Sequence, residues 1–303
     1  MKLNEKYILV EIFTMEVEIQ MKNNRITNDF KEKKIALITG ASSGIGYEFS
    51  KLLAEDGHNL VLVARNKQRL KQLADELEGK FGISVLSISK DLSVVTTPQE
   101  IFDELQQESI QIDILVNNAG FNVYGSFSET DLMEELQMVQ VNLVSLTHLT
   151  KLFLPGMLRK GYGKILNVGS TGSFGPGPFN AVYCATKAFV LSFSGAIAEE
   201  LQGTGVTVTA LCPWATKTEF FKRANMADIN LLKRGVMDAK TVAEIGYNSV
   251  MKGERLVIAG TNNKLIIFLT RFMPREMIAK MTKDMMSIRK NEYQKKQFSG
   301  CFE

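Results

Sequence analysis

Cysteine and histidine are scarce in this chain, and their scarcity removes whole classes of chemistry. Three cysteines occur, Cys184, Cys212 and Cys301, with no C-x-x-C pair, so neither a disulfide framework nor a cysteine zinc site is supported. Each reads as a small apolar packing residue. His58 and His148 are the only histidines, which excludes a three-histidine metal centre and leaves few ways to build a Ser-His-Asp triad. No metal site is expected. Long apolar runs are missing too: near the C-terminus the longest aliphatic or aromatic stretch is Leu265-Ile266-Ile267-Phe268-Leu269, against the roughly 18 residues that span a bilayer. No spanning helix is expected. Glu11, Glu16 and Glu18 interrupt residues 7–21, which argues against a secretory signal, so the expected setting is cytoplasmic. Neither sign of charge dominates. A net charge of +3 over 303 residues, with 45% hydrophobic and 23% charged positions, describes a chain that buries a real core. No basic-aromatic stacking motif is present, and nucleic acid is not an expected partner.

What the sequence does contain is an alternation of two patterns. Apolar runs at 34–40, 59–65, 85–90, 112–117, 164–170 and 206–212 read as strands, and helical spacings follow them, as in Ile45, Phe49, Leu52, Leu53 and in Leu70, Leu73, Leu77, Phe81. Further helices are expected at 98–107, at 132–158 with a break about Asn142, and at 181–201. Strands apolar on both faces and separated by helices form a parallel sheet through right-handed crossovers. The expected fold is a single-domain α/β, doubly wound parallel sheet over residues 34–262. Residues 1–33 read as an N-terminal extension, and 263–303 as a basic, methionine-rich helical tail.

Between the first strand and first helix lies Thr39-Gly40-Ala41-Ser42-Ser43-Gly44-Ile45-Gly46, where backbone N–H groups and the helix dipole favour a pyrophosphate. Asn117-Asn118-Ala119-Gly120 ends the fourth strand, Ser170 ends the fifth, and Tyr183-Cys184-Ala185-Thr186-Lys187 opens a helix. In this order the motifs resemble those of the short-chain dehydrogenase/reductase family, TGxxxGxG, NNAG and YxxxK, over about residues 34–260. The resemblance implies a Rossmann-type fold and a nicotinamide cofactor. It also implies a catalytic set of Asn142, Ser170, Tyr183 and Lys187, in which Ser170 bonds the substrate oxygen, Asn142 keeps a relay water and Lys187 also holds the nicotinamide ribose.

Chemistry read from the residues points the same way. Tyr183 and Lys187 are four apart on a predicted helix and share a face. A lysine cation nearby favours phenolate and makes the tyrosine a usable acid/base. The expected cofactor set is Gly40, Ser42, Ser43, Gly44, Ile45, Gly46, Arg65, Asn66, Asp91, Leu92, Asn118, Ala119, Gly120, Tyr183, Lys187, Pro213, Thr216 and Thr218. Asp91 reads equally as an adenine contact or as an ordinary helix cap. The second strand ends in Ala64 rather than a carboxylate, and Arg65, Asn66 and Lys67 follow, which favours NADP over NAD. Ser43 stands where many NADP-preferring relatives carry a second basic residue.

Pro213 to Thr218 resembles the family's PGxxxT with Trp214 in place of glycine, so the indole either walls the substrate pocket or packs beneath the next helix. Phe174 and Phe179, with Pro176 and Pro178, form an apolar segment between Ser170 and Tyr183. Phe174, Phe179 and Trp214 are the expected substrate lining. The expected function is NADPH-dependent transfer of a hydride between nicotinamide and the carbonyl or alcohol carbon of a small apolar substrate. The alternative is a catalytically silent nucleotide-binding regulator on the same fold. A homo-oligomer is implied by the family, with Leu143, Leu146, Leu149, Phe153 and Val190, Phe193, Ile197 as the two stripes. Residues 264–303 carry net +5, leaving −2 for the rest. Met273, Met277, Met281 and Met285 recur at four-residue steps in a helix expected over 274–289. Such a tail docks on its own subunit, covers a substrate entrance, or makes peripheral contact with an anionic membrane.

Overall fold

The structure, a computed structural model, describes residues 33–288. The expected extension up to residue 32 and the end of the tail, with Cys301, lie outside the described residues. The apolar runs form β1 (Ile35–Thr39), β2 (Asn59–Ala64), β3 (Val85–Ser89), β4 (Ile114–Asn117), β5 (Gly163–Val168) and β6 (Val206–Cys212). Between them run α1 (Gly44–Glu55), α2 (Lys67–Phe81), α3 (Thr97–Gln107), α4 (Leu132–Val139), α5 (Leu146–Lys160) and α6 (Ala181–Glu200). Beyond β6 follow β7 (Thr216–Lys217), α7 (Phe220–Arg223), β8 (Met237–Asp238), α8 (Ala239–Lys252), β9 (Leu256–Ile258), α9 (Thr261–Thr270) and α10 (Arg275–Met286).

The main sheet has the order β3-β2-β1-β4-β5-β6-β9, and all its pairings are parallel. This is the doubly wound fold expected from the sequence. Strand order reverses between β1 and β4, and a cleft opens there at the strands' C-terminal ends, where ligands sit in such sheets. One face of the sheet buries Phe49, Leu53, Leu70 and Val242 under α1, α2 and α8. The other buries Ile101, Leu105, Leu149, Phe153 and Ala198 under α3, α5 and α6.

Among the polar side chains buried inside, some are paired across elements. Asn117 Nδ2 donates to Asn167 Oδ1 (2.9 Å), and Asn167 Nδ2 donates to Ser194 Oγ (2.9 Å). This chain of bonds fixes β4, β5 and α6 relative to one another, because a slipped register would leave buried amides unpaired. The break expected about Asn142 is a π-helical turn, Gln140–Ser145, joining α4 to α5. Of the stripes expected to pair subunits, Leu146, Leu149, Phe153 and Val190 are buried within their own subunit. Among the described residues α6 alone would suit a membrane span by length and hydropathy, but here it packs on the sheet and carries Lys187 and Ser194 inside.

Candidate active site

The glycine turn leaves no room for side chains. Gly40 and Gly44 have φ of +68° and +59°, the left-handed region that glycine enters without strain. A Cβ on Gly46 would lie 2.4 Å from Gly40 O and 2.5 Å from Asn118 Nδ2, and one on Gly44 would lie 2.9 Å from the Thr218 methyl. Behind the turn, Asn118 Nδ2 donates to Thr39 O (2.9 Å) and Gly40 O (3.3 Å), while the N–H groups of Asn118 and Ala119 donate to Thr39 Oγ1 at 3.0 Å. Asn118 thus props the turn, and its amide N–H₂ is spent on the protein. Ser43 caps α1 without a side-chain bond to it.

Deeper in the same cavity, of about 1050 Å³, lie the groups expected to do chemistry. Lys187 is buried, donates to Val168 O (2.8 Å), and sits 5.8 Å from the centre of the Tyr183 ring. Burial pushes the Lys187 pKa down to about 8. Burial raises the Tyr183 phenol, and a hydrogen bond with Ser170 opposes the rise. Here the structure departs from the sequence expectation of a phenol lowered by the lysine: desolvation is the largest cause and the shift is upward. Ser170 caps the turn Thr171–Phe174 through Oγ, accepting from Gly172 N (3.0 Å).

Asn142 is buried with its side chain fully engaged. Its Oδ1 accepts from Phe121 N (3.1 Å), and Nδ2 donates to Phe121 O (2.9 Å) and Thr186 Oγ1 (3.3 Å). The side chain therefore positions the loop after β4 against α6. A Cβ on Gly120 would come 3.0 Å from Asn142 Oδ1 and 3.5 Å from Lys187 Nζ, so this loop packs close against both.

At the far end of the cavity the sequence expectations are refined. Arg65 lines it, 68% exposed, with Asp91 Oδ2 at 3.8 Å. Asn66 lines it as well, but Oδ1 caps α2 by accepting from Arg69 N (2.9 Å). Asp91 does not cap a helix: Oδ1 accepts from Ser93 N (2.9 Å) in a turn ahead of α3. Leu92, Pro213, Thr216 and Thr218 line the cavity, Thr216 and Thr218 being held by local bonds to Trp214 O and Thr216 O.

Phe174 and Trp214 also line the cavity, but Phe179 does not. With φ of +64°, Phe179 places its ring centre 6.1 Å from that of Tyr124 instead. Trp214 lines the cavity, its Nε1 donates to Gly235 O (3.3 Å), and its side chain packs against the cluster of Ala215, Ala224, Met226, Ile229 and Leu231.

Sequence reasoning did not identify Arg69, Glu219, Phe220 or Arg223, which line the same cavity. Arg69 lies in the first turn of α2 whereas Arg65 precedes its N-cap, so no helical spacing in the sequence links the two. Tyr183 and Phe220 rings are tilted against each other at 5.7 Å. Ile266, Ile267 and Thr270 of α9, with Ile278, Met281, Thr282, Met285 and Met286 of α10, complete the wall.

A parallel sheet with a glycine cradle at its switch point, and beside it a half-buried Tyr183 paired with a buried Lys187, defines a dinucleotide-dependent oxidoreductase. The model of the short chain dehydrogenase family matches residues 34–228, and the chain belongs to that family. It is 31% identical over 213 residues to an oxidoreductase of Staphylococcus epidermidis, covering 70% of this chain and 89% of the relative. Over 270 residues it is 29% identical to the very-long-chain 3-oxoacyl-CoA reductase of Mus musculus, covering 86% of this chain and 82% of that one. A short-chain dehydrogenase from Sphingobium yanoikuyae, solved in complex with NADPH, superposes with a TM-score of 0.70 at 32% identity, covering 80% of this chain and 96% of the other.

Proposed function

We propose that the protein is an NADPH-dependent reductase of a large apolar carbonyl compound. The observation that carries this reading is the half-buried Tyr183, hydrogen-bonded with Ser170 and set beside the buried Lys187, in a cavity with cationic groups at one end and apolar walls at the other. The glycine turn fits a pyrophosphate, because the room a Cβ would need is taken at Gly40, Gly44 and Gly46. Arg65 and Arg69, with no carboxylate at Ala64, favour a ribose 2′-phosphate. Bound there, nicotinamide supplies the hydride. Tyr183 supplies the proton: its O–H bond breaks as an O–H bond forms on the carbonyl oxygen that Ser170 holds, and the product is the alcohol. A phenol whose pKa is raised by desolvation suits this direction.

Phe174, Trp214, Ile267, Met281 and Met285 favour an apolar body on the substrate. The similarity to a very-long-chain 3-oxoacyl-CoA reductase makes long 3-oxoacyl thioesters the first class to try. A homo-oligomer belongs to the same reading, supported by the small exposed side chains Ala181, Ala185, Ala188, Ser192 and Ala196 along α6. The test is NADPH consumption against small ketones and 3-oxoacyl thioesters of increasing chain length. Turnover with kcat/KM rising with chain length is expected. No consumption with any carbonyl would favour the silent regulator instead.

A further inference from the structure

The helices α9 and α10 have two dissimilar faces. Toward the protein, Ile266, Ile267 and Thr270 line the cavity with Ile278, Met285 and Met286. The helix pair is fastened to the body where Tyr124 Oη donates to Met286 O (2.5 Å), Asn230 N to Ser287 O (3.1 Å) and Asn230 Nδ2 to Asp284 O (3.2 Å), where Ile229 bridges to Ile288, and where a Cβ on Gly175 would meet Ile278 Cγ2 at 2.8 Å. Away from the protein, Leu265, Phe268, Leu269 and Phe272 recur at i, i+3, i+4 and i+7 and are 59%, 51%, 51% and 74% exposed. Phe268 and Phe272 meet edge to face at 5.4 Å. Large apolar side chains standing together in water mark a surface that something covers.

The charges around that ridge say what kind of partner it is. Lys264, Arg271, Arg275, Lys280 and Lys283 are exposed, against Glu276 and Asp284. No ion pair among the described residues engages any of the five cations. An apolar helix face flanked by unpaired cations matches the interface of an anionic bilayer, where the rings enter the acyl boundary and the cations stay among the headgroups.

We propose that the outer face of α9 and α10 seats the protein on an anionic lipid surface. The inner face of the same helix pair then stands between the lipid and the cavity, so an apolar substrate dissolved in the membrane passes along one pair of helices to reach Tyr183. The seating stands on the surface alone, and only this delivery step rests on the reductase reading.

Flotation of the intact protein with vesicles tests the seating without any substrate. Phosphatidylcholine vesicles are compared with vesicles holding about 30 mol% phosphatidylserine, at low and high salt. Co-flotation with the anionic vesicles, weakened by salt, is expected. Phe268→Ser/Phe272→Ser should lower the bound fraction roughly tenfold, and Arg271→Gln/Arg275→Gln should remove the preference for anionic lipid. Both variants should keep wild-type turnover on a small soluble ketone, which shows that they are folded. Wild-type protein left unbound at low salt, or variants that float as well as wild type, would overturn the proposal. So would a soluble dimer that the phenylalanine variant dissociates, since a second copy would then cover the ridge. If the protein floats but reduces nothing, the reductase reading fails and the lipid surface stands.

Discussion

Arg69, in the first turn of α2, reaches Glu219, 150 residues further along the chain, through both guanidinium nitrogens at 3.2 and 3.3 Å. Glu219 also pairs with Arg223, and the Arg69 bond is the first cause holding the Glu219 carboxyl below its usual range. The contact joins the end of the cavity at Arg65 and Arg69 to the segment whose next residue, Phe220, packs on the Tyr183 ring. Under the proposed NADPH reading, a 2′-phosphate bound there would compete with Glu219 for Arg69. Glu219→Gln should therefore raise NADPH affinity several-fold and leave NADH nearly unchanged, a modest effect because both partners are about half exposed. Fluorescence titration with the two cofactors decides this; an equal change for both would remove Arg69 from phosphate binding.

Arg65→Asp should move preference toward NADH, because it removes one phosphate partner and places a carboxylate near the ribose. The ratio of kcat/KM for the two cofactors is the readout. An unchanged ratio would leave Arg69 as the principal phosphate contact.

Tyr183→Phe should lower kcat at least about 10²-fold while NADPH binding persists, since it deletes the proton donor and little else. Rates close to wild type would assign the proton to another group.

Lys187 supplies the pH dependence. Its pKa of about 8 leaves it charged at neutral pH, and the charge is lost as pH rises through about 8. The raised Tyr183 does not titrate in that window. If the charged lysine is needed, kcat/KM for reduction should be flat near neutrality and fall on the alkaline side, and Lys187→Met should abolish that limb together with most of the activity.

Gly46→Ala should impair cofactor binding more than it lowers the melting temperature. The added methyl meets the backbone carbonyl of Gly40 and the Asn118 side-chain amide, which is held by its bonds to Thr39 O and Gly40 O. Overpacking of this kind costs about 1–3 kcal/mol. Calorimetry with NADPH, beside a thermal melt, separates the two effects.

The glycine turn and the Tyr183-Lys187 pair were legible because each is local: a strand-to-helix turn and an i, i+4 spacing are visible in a few residues. The parallel sheet was legible because strands buried on both faces carry no polar alternation. What sequence reading missed depends on distance or on burial. Arg69 and Glu219 meet only in the fold, and Asn142 finds its partners at Phe121 and Thr186. The direction of the Tyr183 shift reflects how deep the phenol lies, which no neighbour in sequence reports. The methionine series shows a third cause. Four-residue steps overshoot a helical turn by about 40° each, so Met277 faces solvent while Met285 lines the cavity. Those methionines do not share one face.

The walls of the cavity come from separate stretches of chain, among them residues 40–45, Asn118, Ser170, Tyr183, Thr218 and α10. The strands that bring them together pair in parallel, so each pairing closes a long loop before any contact rewards it, and the topology has high contact order. No fragment of the sheet holds a partial site of its own. Sheet variants remote from the cavity should then change how many molecules are active rather than how well each one works, lowering the measured maximal rate at an unaltered KM.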